Sequence, residues 1–275
     1  MSDVAPHPED LRERIGSLGT CDDGAIDLGH AALWLAALDR PQVGLARYES
    51  HLAELSAALG GTADTIAGKT AALQNLVIGQ GYAGDNQTYD DVQNANLIRV
   101  IDRRKGLPVS LAILLIHAAK TSDWHVVGLS FPYHFLIRLD HESDRVVIDP
   151  FNAGAVLTTT RMRDLLKSFD GDADLRPEHY QSVSNRSILL RLQNNMKSRA
   201  VQQRRFDRAA ELVERMLLFA PVEAALWREL SVLQVACGRV KDAIRSAEHY
   251  YGIAGNDELR NDAAMLVQKI KSRLN

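Results

Sequence analysis

The run PVSLAILLIHAA, residues 108–119, constrains this chain more than any other stretch. It is apolar on nearly every helical face, and a proline opens it where a helix needs no backbone donor. A helix without a polar face has to sit in the middle of a fold. His117 interrupts the run, which is also too short to cross a bilayer. After Asp123 the pattern changes. WHVVGLSF, HFLIRLD and RVVIDPF are short β-branched or aromatic runs split by polar turns. Three strands behind one buried helix predict an antiparallel sheet packed on that helix, an α+β fold. With 46% apolar residues in 275, the chain can build such a core.

Helices are also expected ahead of the apolar run. DLGHAALWLAAL starts at Asp27 and ends at Arg40-Pro41. VGLARYESHLAELSAALG sets Leu45, Tyr48, Leu52, Leu55 and Leu59 at steps of three and four and closes on Gly60-Gly61. A third helix covers residues 62–77. A Gly/Asp/Asn loop, GQGYAGDNQTYDD, precedes a fourth helix, DVQNANLIRVIDRRKG, with Gly106 expected just past its end. Residues 1–24 have weak periodicity and predict a loose lead, so the α+β domain is assigned to residues 25–180.

Residues 181–275 read as helical and repetitive. FDRAAELVERM from Phe206 parallels VKDAIRSAEHY from Val240. Ala209 and Ala243 stand 34 residues apart, as do Leu192 and Leu226. That is the period of the tetratricopeptide helix–turn–helix unit, with alanines where its two helices meet. About two and a half such units fit.

Within PYHFLIRLDHESDRVVIDP, residues 132–150, His134 is expected to open one strand and Asp149 to close the next. Antiparallel pairing brings those ends together. A nucleophile at the start of the buried helix would complete the order helix, His, Asp used by papain-type enzymes. The alternative is a buried histidine–carboxylate couple that satisfies itself.

RRKGLPVSLAILLIHAA, GLSFPYHFLIR and VIDPFNAG closely resemble the bacterial SirB-type family, transglutaminase-like proteins that carry C-terminal tetratricopeptide repeats. GYAGDNQTYDDVQNANLIRVI is similar to that family's GNxxxYxxxxNxxLxxVL segment, and SNRSILLRLQNNMKSRAV to its linker into the repeats. The resemblance runs from about residue 73 to the C-terminus. It implies a papain/transglutaminase-like core, a helical N-terminal part plus a small antiparallel sheet, followed by an all-α tail. Against the remoter transglutaminase pattern Gly-x-Cys-x-x-x-Ala, then His, then Asp-Pro, the residues Gly106, Ala112, His134 and Asp149 match. Pro108 takes the place of the cysteine, and no cysteine lies between residues 22 and 236. Ser110 lies two residues further on. A serine needs a general base, a task that would fall to His134. In a first helical turn its ordinary role is to satisfy a backbone group. Tyr133 stands in FPYHF where the family usually has FPGHF. Tyr133, Pro108 and Asn152 are expected to bind whatever enters beside the pair.

Two functional readings result. One is a transglutaminase-like protein without its cysteine nucleophile, acting as a protein-binding or regulatory scaffold. The other is a serine-type hydrolase or acyltransferase using Ser110, His134 and Asp149. No cofactor is expected. No metal is expected either, since His117, His125, His134 and His141 are not at metal-ligand spacings. Protein or peptide partners are expected at the repeats. The basic stretch 186–208 has no interleaved aromatic stacking platform, and the net charge is −3, so nucleic acid is not an expected partner. The opening MSDVAPHPED has neither the basic nor the apolar region of a signal peptide. With two isolated cysteines, Cys21 and Cys237, it leads to a cytoplasmic assignment without a membrane partner. These residues leave the oligomeric state open.

Overall fold

The computed structural model describes residues 4–272. It divides into two compact units. Residues up to Leu11 and Asp23–Leu192 form the first; Arg12–Asp22 and Gln193–Asn275 form the second.

The described chain opens with α1 (Pro8–Ser17), where a loose lead was expected. Leu11 and Ile15, one helical turn apart, are fully buried. A two-residue stripe is too short a signal to stand out among prolines, glycines and acids. The expected helices follow as α2 (Leu28–Ala37), capped by the Asp27 carboxylate, α3 (Ala46–Ala57) and α4 (Ile66–Gly79), capped by Thr65.

The fourth predicted helix is shorter than its sequence pattern. A 3₁₀ turn, Val92–Ala95, comes first, and Asn96 then caps α5 (Leu97–Arg103). The helix ends at Arg104, which takes the left-handed conformation at φ 56° that was expected of Gly106. This frees Lys105–Gly106 to form β2, paired in parallel with β1 (Ala83–Gly84).

Next comes α6 (Pro108–Thr121), with proline in its first turn and every residue from Pro108 to Ala119 buried. It contacts α2, α3, α5 and the strand β3 (His125–Gly128). Strands β4 (Ile137–His141), β5 (Asp144–Asp149) and β6 (Ala155–Leu157) extend β3 into a four-stranded antiparallel meander, in the order β3-β4-β5-β6. The register sets Ile137 opposite Ile148. β6 and the helix α7 (Thr159–Phe169) were not foreseen. Three residues are too few for an alternating pattern to show. Met162 and Leu166 of α7 share a core cluster with Leu129, Phe131 and Leu136.

The boundary between the units falls inside α8 (Asn185–Gln202), between Leu192 and Gln193, later than the residue 180 read from composition. The second unit continues through α9 (Phe206–Phe219), α10 (Ala224–Ala236), α11 (Val240–Ile253) and α12 (Asp257–Lys271). The 34-residue spacing places Ala209 in α9 and Ala243 in α11, both fully buried. Ala243 and Ala247 form one core with Ile270 of α12. Small side chains there let neighbouring helices approach closely.

Because α6 is enclosed on all sides, trimming it leaves a void that its neighbours cannot close. Ile113 is 0% exposed. Ile113→Ala is expected to lower unfolding stability by about 2–5 kcal/mol in urea titrations. A loss below about 1 kcal/mol would contradict a central position for this helix.

Candidate functional site

His134 and Asp149 meet. The Nε2 atom of His134 lies 2.9 Å from Asp149 Oδ1, with the histidine 5% and the aspartate 1% exposed. His134 does not open a strand. It sits in a turn three residues before β4. Two features fix that turn. Arg191 of α8 donates to the carbonyls of Phe131 and His134, at 3.2 and 2.8 Å. Tyr133 adopts φ 62°, the left-handed region that glycine enters freely and a bulky residue enters at a cost of about 1–2 kcal/mol.

Asp149 ends β5 and is held by several donors. Besides His134 it accepts from the backbone N–H of Phe151 at 3.0 Å and from the Asn152 side chain at 2.6 Å. Burial pushes its pKa up, but the His134 contact and the Asn152 and Phe151 donors outweigh it and hold the carboxyl below its usual range. Asn152, expected to bind a ligand, here spends its amide on Asp149. Aromatic rings close over the imidazole. Phe151 meets it edge-on at 5.8 Å, and Phe169 stacks on it at 6.2 Å. Tyr133, itself exposed, stacks in turn on Phe169. Phe169 and Arg191 escaped the sequence reading. The first falls in a stretch with linker composition, and the second falls in a basic run that reads as a solvated face.

Ser110 is 0% exposed, and its hydroxyl donates to the carbonyl of Asn94 at 2.6 Å. The same carbonyl accepts from Leu107 N–H at 3.1 Å. The Asn94 amide donates to Thr88 O and accepts from Arg103, which also binds Asp85. Asp85 is buried and takes the Thr88 backbone N–H and hydroxyl as well. Those Thr88 bonds, together with Asn94 and Arg103, hold its carboxyl well below the ordinary range. Ser110 is thus tied to a network that fastens the 85–96 loop to the start of α6. Pro108, in the first turn of α6, is buried as well. Of the two thiols, Cys237 is pushed up to about 11 by burial and by Asp207, which disfavours a thiolate. Both cysteines belong to the second unit, and the His134–Asp149 pair belongs to the first.

Among the described residues the fold makes a cluster that sequence spacing hid. Asp27, His30 and His117 each offer a ligand atom within 4.8 Å of the others. Asp27 and His117 are 90 positions apart, beyond any local motif. In the basic stretch, Arg186 pairs with Asp23, Lys197 with Glu229 and Arg208 with Glu211, so much of its charge is met within the fold.

A buried helix, a histidine–aspartate pair and a helical tail thus follow one another along the chain. A family model for the transglutaminase-like superfamily matches residues 45–194, and one for the tetratricopeptide repeat matches residues 196–275. The chain belongs to the transglutaminase-like superfamily. It falls in the SirB-type group, in which repeats follow the core. A UPF0162 protein of Vibrio cholerae is 30% identical over 250 residues, covering 87% of this chain and 92% of the relative. Another, from Xylella fastidiosa, is 28% identical over 242 residues, with 85% and 86% covered. Protein SirB1 of Salmonella typhimurium is 27% identical over 148 residues, 52% of this chain and 55% of its own. No helix among the described residues is long and apolar enough to cross a membrane.

Ser110→Ala removes one of two donors from a buried carbonyl, and about 1 kcal/mol of unfolding stability is expected to go with it. The Asp149 carboxyl titrates lower folded than unfolded, so its pairing stabilises the fold above the unfolded pKa near 4 and is lost as pH falls through the folded value. Asp149→Asn is expected to destabilise by about 1–3 kcal/mol at pH 7. The gap to the wild type should narrow as pH drops below about 4, measured by denaturant titration across pH. A gap independent of pH would contradict a charged Asp149.

Proposed function

We propose that this superfamily member is a transglutaminase-like domain without a working nucleophile, and that it serves as a scaffold that binds protein or peptide through its repeats. One observation carries the reading: at the start of α6 the nucleophile position holds Pro108, and the neighbouring hydroxyl, Ser110, is buried and donated to Asn94 O. The His134–Asp149 pair then acts as a structural clasp. It ties the turn before β4 to the end of β5 beneath Phe151 and Phe169.

The repeat unit supports the binding role, since tetratricopeptide arrays generally mediate protein–protein contacts. Helices α9, α10 and α11 line a groove of about 620 Å³. Leu217, Leu218, Trp227 and Leu230 give it apolar walls, while Arg239 and Arg245 add charge at the rim. An apolar trough with a charged edge suits an amphipathic helix or peptide. Two cysteines that form no disulfide with each other support a reducing, cytoplasmic setting.

One feature favours the second reading, a hydrolase or acyltransferase. His134 keeps the ordered carboxylate partner that a general base requires. In that reading the nucleophile is Ser110, released from Asn94, or a group borne by the substrate.

Two experiments separate the readings. A fluorophosphonate probe is expected to leave the wild type unlabelled; labelling of the wild type that disappears in Ser110→Ala would overturn the scaffold reading. Peptides selected against the full chain from a random library are expected to bind at least tenfold more weakly to Leu218→Asp or Arg245→Glu. Unchanged affinity in both variants would remove the groove from the proposal.

A further inference from the structure

The Asp27–His30–His117 cluster at the start of α2 shares no residue with the His134–Asp149 pair and does not depend on the scaffold reading. Asp27 caps α2, its Oδ1 accepting from His30 N–H at 3.1 Å. The same oxygen lies 2.8 Å from His117 Nδ1, and Oδ2 lies 3.0 Å from His30 Nδ1. Two imidazoles from different helices therefore aim the same ring nitrogen at one carboxylate. Their rings stand edge to face, with centroids 5.4 Å apart.

The fold makes room for this arrangement. A Cβ on Gly29 would sit 2.7 Å from both Cγ and Nδ1 of His117, so only glycine lets the imidazole reach the first turn of α2. The His117 side chain is 6% exposed, while His30 and Asp27 are 36% and 43% exposed. The cluster is thus rooted in the core and open to solvent on one side. Lys120, one turn along α6, does not fill it. Its ammonium is held by the carbonyls of Gly24 and Ile26.

A helix cap needs only the aspartate, and an ion pair needs only one histidine. The second imidazole and the cleared glycine position are surplus to both. We propose that Asp27, His30 and His117 form a binding site for a borderline divalent cation of the zinc type, held by two imidazole nitrogens and one carboxylate oxygen, with solvent in the fourth position. The two imidazole nitrogens lie 2.8 and 3.0 Å from the two different oxygens of Asp27, and one ligand atom from each residue falls within 4.8 Å of the others, so small side-chain rotations bring them to the roughly 3.3 Å spacing that bonds of about 2.0–2.2 Å require. Any proton on the two Nδ1 atoms leaves to solvent as the ion enters, and no oxidation or reduction takes place. Imidazole with carboxylate selects zinc or cobalt over magnesium or calcium, which demand all-oxygen shells. The bound ion would tie residue 27 to residue 117, clamping α2 against α6.

The test is calorimetric titration of the untagged full chain with Zn²⁺, with Co²⁺ as a visible reporter. One ion per chain with micromolar or tighter affinity is expected, together with a rise in Tm and a Co²⁺ spectrum of tetrahedral intensity. His30→Ala keeps the buried His117–Asp27 contact and so should fold, as circular dichroism will check. It is expected to lose affinity about tenfold or more and to abolish the Tm rise, and Asp27→Asn should do the same. His125→Ala, at a surface histidine, should change neither. Absence of one-to-one binding in the wild type, or equal binding by His30→Ala, would overturn the proposal.

Discussion

The burial of α6 on all its sides is the constraint from which the first unit is built. A helix with no wet face leaves each of its polar groups to be satisfied by protein, since an unmet buried donor or acceptor costs about 1–3 kcal/mol. Two side chains on α6 show the consequence. The Ser110 hydroxyl donates a hydrogen bond to Asn94 O, and His117 meets Asp27. The first bond draws in the Asp85–Arg103–Asn94 network and orders the loop ahead of the helix. The second reaches the cap of α2 and fixes where that helix begins. Short polar contacts thus set the registers of elements whose apolar faces alone would allow sliding.

The His134–Asp149 pair follows the same logic at the ends of the two central strands. Its members come from a turn and from the last residue of β5, and neither element would hold them alone. Arg191 grips the carbonyls of the turn, Asn152 and Phe151 N–H saturate the carboxylate, and Phe151 and Phe169 cover the ring. A general base and a structural clasp require the same oriented imidazole. What separates them is a third partner, and the hydroxyl at the head of α6, Ser110, is already committed to the Asn94 carbonyl. The left-handed Tyr133 belongs to the same picture, since its ring rests on Phe169 and extends the aromatic cover.

The repeat unit is governed by a different constraint. Ala209 and Ala243 recur because two helices can approach closely only where side chains are small. The 34-residue interval that results is a periodicity of contact, and for that reason it could be read without coordinates. The N-terminal helix α1 was not legible, because its buried stripe is two residues long. The fourth strand was missed because it has only three residues, and the early stop of α5 because Arg104 took a conformation that glycine usually takes.

The sequence by itself determined the buried central helix, the three-strand run, the period of the repeats and the family. These are properties of local pattern, since periodicity and composition act through neighbours along the chain. Only the tertiary structure decided that Ser110 faces Asn94, that His134 stands in a turn beneath two aromatic rings, and that Asp27, His30 and His117 converge. Each of those depends on groups brought together across long intervals, 90 positions for Asp27 and His117. Hydrogen bonds act over about 3 Å. No pattern along the chain encodes which distant donor will be left within that reach once the apolar surfaces have closed.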